Sequence, residues 1–64
     1  MKKTLARARA QAGLTQAELA KKIGVDPTYI SHLEHGRREP SLTTLRAWAK
    51  ACGHKLVISL ESRV

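Results

Sequence analysis

Read for spacing alone, the chain shows four stretches of helical period followed by one of period two. Leu5, Ala8, Arg9 and Ala12 recur at i, i+3, i+4 and i+7, which predicts a helix from about Lys2 to Ala12, closed by Gly13. Thr15-Gln16-Ala17-Glu18 has the form of a capping box, with Leu14 and Leu19 placed for a hydrophobic staple. Leu19, Ala20 and Ile23 then give a second helix its apolar face, and Gly24 ends it. Only Val25 separates that glycine from Asp26-Pro27, a preferred N-cap followed by the residue favoured at the first helical position. A third helix runs to His35, just before Gly36. It buries Ile30 and Leu33, with Glu34 bordering them. Projected at 100° per residue, Thr28, Ser31, His32 and His35 collect on its opposite side, which carries no long acidic or basic group. Ser41 caps a fourth helix, with Leu42, Leu45, Ala49 and Cys52 on one face, Trp48 at its edge and Gly53 at its end.

From Lys55 the period changes. Leu56, Ile58 and Leu60 alternate with Lys55, Val57, Ser59 and Glu61, which predicts a strand. The expected fold is therefore mainly α: residues 1–53 form a compact four-helix domain, and residues 54–64 a C-terminal strand and tail. A lone strand leaves a row of amides and carbonyls unpaired and needs another edge. Two copies can supply that edge to each other, with Leu56, Ile58 and Leu60 in the interface and Trp48 either in the core or in the same interface.

Composition narrows what such a domain could do. Sixty-four residues allow one small domain, whose core is too small for a deep catalytic pocket in a monomer. The longest apolar run, Leu56-Val57-Ile58, is far short of the ~20 residues that span a membrane. The basic N-terminus lacks the apolar stretch of a signal peptide, so a cytoplasmic location is expected. A single cysteine, Cys52, excludes an internal disulfide. His32 and His35 at i, i+3, with Cys52 and His54 elsewhere, make an incomplete metal site, so neither metal nor cofactor is expected. No Ser/His/acid set or Walker-type loop supports an enzyme. The formal charge is +7, from 12 Lys and Arg against 5 Asp and Glu, which favours an anionic partner. The plainer meaning of such charge is a solvated face that keeps a small protein soluble.

Three independent signals point to nucleic acid. The chain is basic, two short helices are joined by a glycine turn, and the outer face of the second carries short hydrogen-bonding groups. A helix fits the major groove of duplex DNA, where each base pair shows its own pattern of donors and acceptors. The helix N-terminus at Gln16 can offer free amides to a phosphate, and Arg37 and Arg38 leave the far end of the third helix where phosphates would lie.

The residues Leu14-Thr15-Gln16-Ala17-Glu18-Leu19-Ala20, Ile23-Gly24-Val25, Ile30-Ser31, Leu33-Glu34, Gly36-Arg37-Arg38 and Pro40-Ser41-Leu42 together resemble the Cro/repressor-type helix-turn-helix family, also called the xenobiotic-response-element type. The resemblance covers roughly residues 5–53. It implies a lambda-repressor-like bundle of helices with the third as recognition helix, in regulators, repressors and antitoxins that bind operators as dimers. Position by position, it implies a phosphate-binding and bracing role for Gln16, and base readout by Pro27, Thr28 and His32 with Ser31 and His35 flanking. It also implies a backbone contact for Tyr29 and an internal ion pair of Arg9 with Glu34. Two of these positions also admit plainer roles: Gln16 as an ordinary first-turn residue, and Tyr29 as a packing residue. Pro27 departs from the pattern, since proline cannot hydrogen-bond a base edge and offers only an apolar contact, such as to a thymine methyl.

The expected function is that of a sequence-specific DNA-binding regulator, a repressor that occupies a palindromic operator as a homodimer. Its partners would be double-stranded DNA and a second copy of itself. The competing reading is an antitoxin that neutralises a cognate toxin protein and regulates its own operon.

Overall fold

The structure is a computed structural model, and it describes residues 2–54. It contains four helices: α1 (Lys2–Gln11), α2 (Gln16–Ile23), α3 (Pro27–Glu34) and α4 (Leu42–Ala51). α2 packs against both α3 and α4, and α1 packs against α3. The strand expected over residues 55–60, and with it Leu56, Ile58 and Leu60, lies outside the described residues.

The helix boundaries follow from local chemistry. At the start of α2 the Thr15 hydroxyl accepts from the Glu18 amide at 3.0 Å, and the Glu18 carboxylate accepts from the Thr15 amide at 2.8 Å. Both satisfy amides that a helix N-terminus leaves without intrahelical partners. The other end of α2 stops at Gly24, whose φ of 75° puts it in the left-handed region and lets its amide reach back to the Ala20 carbonyl. The space around Gly24 is open, so this backbone angle alone calls for glycine there. Two residues later the Asp26 carboxylate accepts from the Thr28 amide at 2.7 Å, and Pro27 takes the first position of α3. The chain therefore leaves one helix and enters the next within a few residues, which sets the angle between α2 and α3.

Leu5, Leu19, Ala20, Ile30, Leu33, Trp48 and Cys52 form the buried core, with Ala8, Ala12, Leu14, Ile23, Val25, Tyr29, Leu45 and Ala51 packed around it. Trp48 is 1% exposed, and its indole Nε1 donates to the Leu5 carbonyl at 3.1 Å. That bond ties α4 to α1 across 43 positions of the sequence. Of the two roles open to Trp48, this is the core role: a ring enclosed by its own chain presents no surface to a second copy. Burial also pushes the Cys52 thiol up from its ordinary value, so it behaves as a small apolar core group.

α4 departs from its expected orientation. The buried stripe runs through Leu45, Trp48 and Cys52, flanked by Ala51, whereas Leu42 is 47% exposed. The large indole takes the centre of the interface, which turns the helix so that its first-turn leucine falls outside the stripe.

Candidate nucleic-acid interface

α3 is held at both ends. Its N-terminus is fixed by the Asp26 cap. Hydrogen bonds from the Thr28 amide and hydroxyl hold the Asp26 carboxyl below the usual carboxylate range. Its C-terminus is fixed by Glu34. Arg9 of α1 donates from Nε to Oε2 and from Nη2 to Oε1, the latter at 3.0 Å, while Gln16 of α2 donates from Nε2 to Oε1 at 3.1 Å. The remaining Arg9 nitrogen, Nη1, donates to the Leu14 carbonyl at 2.8 Å. One guanidinium thus joins α1, the α1–α2 turn and the end of α3. The Glu34 side chain is 5% exposed and that of Arg9 20%.

Burial alone would raise the Glu34 carboxyl. The hydrogen bonds from Arg9 and Gln16, together with the Arg9 charge, outweigh it and hold the group below its ordinary range. Arg9 is raised, first by its hydrogen bond to Glu34. The pair is therefore ionised across the neutral range, and no buried side-chain nitrogen or oxygen among the described residues lacks a partner.

Pro27, Thr28, Ser31 and His32 lie on α3, and His35 follows as its C-terminal cap, one residue past the helix end. Pro27, Thr28 and His35 are exposed, and Ser31 and His32 are half-buried. His35 is also tied to its own helix, with Nδ1 2.8 Å from the Ser31 carbonyl and 3.4 Å from the Ser31 hydroxyl. A carbonyl can only accept, so Nδ1 is the donor in the contact with Ser31. Gln16, half-buried at the start of α2, uses one amide hydrogen on Glu34 and keeps a second donor.

Beyond α3, Arg37 and Arg38 are both exposed, yet their surroundings differ. The Arg38 guanidinium carbon lies 5.4 Å from the centroid of the Tyr29 ring. The Tyr29 hydroxyl is 3.5 Å from the Thr44 hydroxyl on α4. Sequence spacing gave no sign of this stack, because a turn rather than a helical repeat brings the two residues together. The Trp48 bond to the Leu5 carbonyl was equally invisible, since its acceptor is a main-chain atom in a distant helix. Among the described residues no three His, Cys, Asp or Glu side chains converge as a metal site would require, and no helix is long and apolar enough to cross a membrane.

Comparison with known proteins bears directly on this arrangement. A helix-turn-helix family model matches residues 5–57. The chain is 46% identical over 48 residues to an uncharacterized HTH-type transcriptional regulator of Sinorhizobium fredii, a match covering 75% of this chain and 62% of that protein. It is 45% identical over 47 residues to an uncharacterized HTH-type transcriptional regulator of Methanothermobacter thermautotrophicus, covering 73% and 68%. It is also 41% identical over 54 residues to multiprotein-bridging factor 1 of Candida glabrata, covering 84% and 36%. The chain thus spans between 36% and 68% of the length of these relatives. No solved structure matches it significantly. With four helices among the described residues, the tight turn between α2 and α3, and a family match over most of its length, the chain belongs to the Cro/C1-type helix-turn-helix family.

Proposed function

We propose that this protein is a sequence-specific DNA-binding transcriptional regulator that lays α3 in the major groove and represses by occupying a palindromic operator as a homodimer. The observation that carries this reading is the mounting of α3: capped by Asp26, anchored through Glu34 to Arg9 and Gln16, and bearing polar side chains but no carboxylate on the face away from the core. A rigid helix presents its side chains in a fixed register, which base readout requires. Thr28, Ser31, His32 and His35 would read base edges, with Pro27 in apolar contact. Gln16, Arg37 and Arg38 would hold phosphates, and these contacts position the helix without specifying sequence. The naming of two relatives as HTH-type transcriptional regulators supports the same reading.

Selection of bound sequences from a random duplex pool tests it. The parent should enrich a two-fold symmetric site, and its affinity should fall with salt by a log–log slope of about −0.9 for each phosphate neutralised. Thr28→Ala and His32→Ala should each cost about 1–3 kcal/mol at particular base pairs while leaving random duplex nearly unaffected. An unchanged ratio of selected to random affinity in both variants would remove α3 from the readout.

A further inference from the structure

Tyr29 is the only residue of α3 that is half-buried, aromatic and adjacent to a cation. Its ring packs against the core, and its hydroxyl lies 3.5 Å from Thr44 Oγ1. Thr44 is itself held by the α4 cap, because its amide and its hydroxyl both bond to the Ser41 hydroxyl, at 3.1 and 3.0 Å. Two helices therefore fix the ring, and the Arg38 guanidinium lies over it at 5.4 Å, within the range of a cation–π contact. Arg37 has no equivalent platform among the described residues: the chain's one other aromatic, Trp48, is enclosed in the core.

We propose that Tyr29 is a positioning residue, a platform that holds Arg38 ready for a DNA phosphate beyond the C-terminal end of α3. The neighbouring Arg37 then contributes charge alone. The proposal rests on the reading of α3 as the DNA-contacting helix. Its physical basis is the shape of the guanidinium. A planar, weakly hydrated group can stack by its face and still present N–H donors at its edge to a phosphate oxygen, which a lysine ammonium cannot do. An arginine already held by a fixed ring also loses less side-chain freedom on binding than one free in solvent. Tyr29 acts through Arg38 and needs no contact of its own with DNA.

The test is a set of duplex-binding measurements on the full chain, with a thermal melt of every variant. Tyr29→Phe keeps the ring and its packing against the core, loses only the long contact with Thr44, and should keep most of the parent's affinity. Tyr29→Leu and Arg38→Lys should each weaken binding about two- to fivefold, the worth of one exposed cation–π contact. Combined, they should weaken it no further than either alone, whereas Tyr29→Leu and Arg37→Ala combined should show the sum of their separate losses. Equal losses for Tyr29→Phe and Tyr29→Leu would mean that the hydroxyl itself contacts DNA, and would overturn the platform. So would additive losses when Tyr29→Leu is combined with Arg38→Lys, or a Tyr29→Leu protein that melts early and loses affinity through Arg37 and Arg38 alike. A parent that shows no salt-dependent duplex binding would instead defeat the proposed function. Parent binding that is intact beside additive losses for Tyr29→Leu and Arg38→Lys would defeat the platform alone.

Discussion

Taking a carboxylate out of water is unfavourable, and Glu34 is stable where it is only because three hydrogen bonds from α1 and α2 replace its hydration. Removing the acceptor strands the guanidinium of Arg9, a side chain only 20% exposed. Glu34→Ala should therefore lower unfolding stability by about 3 kcal/mol, the lower end of the range for a broken buried pair, because Arg9 keeps some access to solvent. That is a large share of what a domain of this length has, roughly 3–10 kcal/mol in all. Chemical denaturation of parent and variant measures it. The sign of the pH dependence follows from the depressed carboxyl. Its stabilisation is fully present above the unfolded-state pKa of about 4.3 and is lost as pH falls through the lower folded-state value. Glu18 and Asp26 are lowered as well and act in the same direction, so the difference between parent and Glu34→Gln isolates the pair. That difference should be constant from neutral pH down to about 5 and shrink below it; a difference independent of pH would mean that the ionised form contributes nothing. The positions of Arg9 and Glu34 on inner faces were legible from helical period. The additional Arg9 bond to the Leu14 carbonyl was not, because main-chain acceptors leave no mark in a sequence.

At the scale of the element, what could be read was what local chemistry decides alone. The caps at Thr15, Asp26 and Ser41 and the stop at Gly24 are interactions within a few residues, so residue type and spacing suffice to place them. The rotation of α4 depends instead on which side chain best fills the space left by α1 and α2. Trp48, assigned to the edge by spacing, took the centre and displaced Leu42 into solvent. Long-range packing of this kind overrides the pattern whenever one side chain is much larger than its neighbours. Gly24 offers a clean test of the local side. Its surroundings are open, so an added methyl meets no atom, and only the backbone angle of 75° opposes it. Gly24→Ala should lower stability by about 1–2 kcal/mol, the penalty of a left-handed alanine. Gly24→Asn should cost less, because asparagine enters that region more readily. In a domain of this size each kcal/mol is worth about 4–8 °C of melting temperature, so a thermal melt resolves the two. An alanine variant that melts with the parent would show that the turn can reach α3 by another backbone path.

For the whole molecule, the proposed function requires that one small domain read enough DNA to be specific. A single α3 with its cap would offer only Pro27, Thr28, Ser31, His32 and His35, one of them a proline, and each base-pair contact discriminates by about 1–3 kcal/mol. Two copies related by a two-fold axis double the readout without new sequence, provided their α3 helices sit one duplex turn apart, about 34 Å. Trp48, buried within its own chain, leaves any such interface to other residues. Leu56, Ile58 and Leu60 alternate in the sequence, and we propose residues 55–60 for that interface, because the strand which this alternation predicts would cover its apolar face by pairing with a copy of itself. Two strands alone are only marginally stable, so the pairing should tighten with protein concentration and with DNA. Sedimentation of the full chain at micromolar concentration should show a dimer, and a chain ending at residue 53 should show a monomer with its four helices intact by circular dichroism. The shortened chain should still bind random duplex through α3 and its flanking arginines. It should lose its preference for two-fold symmetric sites over single half-sites, because the second α3 is no longer delivered. A shortened chain that remains dimeric, or that keeps the full preference for the symmetric site, would move the interface from residues 55–60 onto the helices.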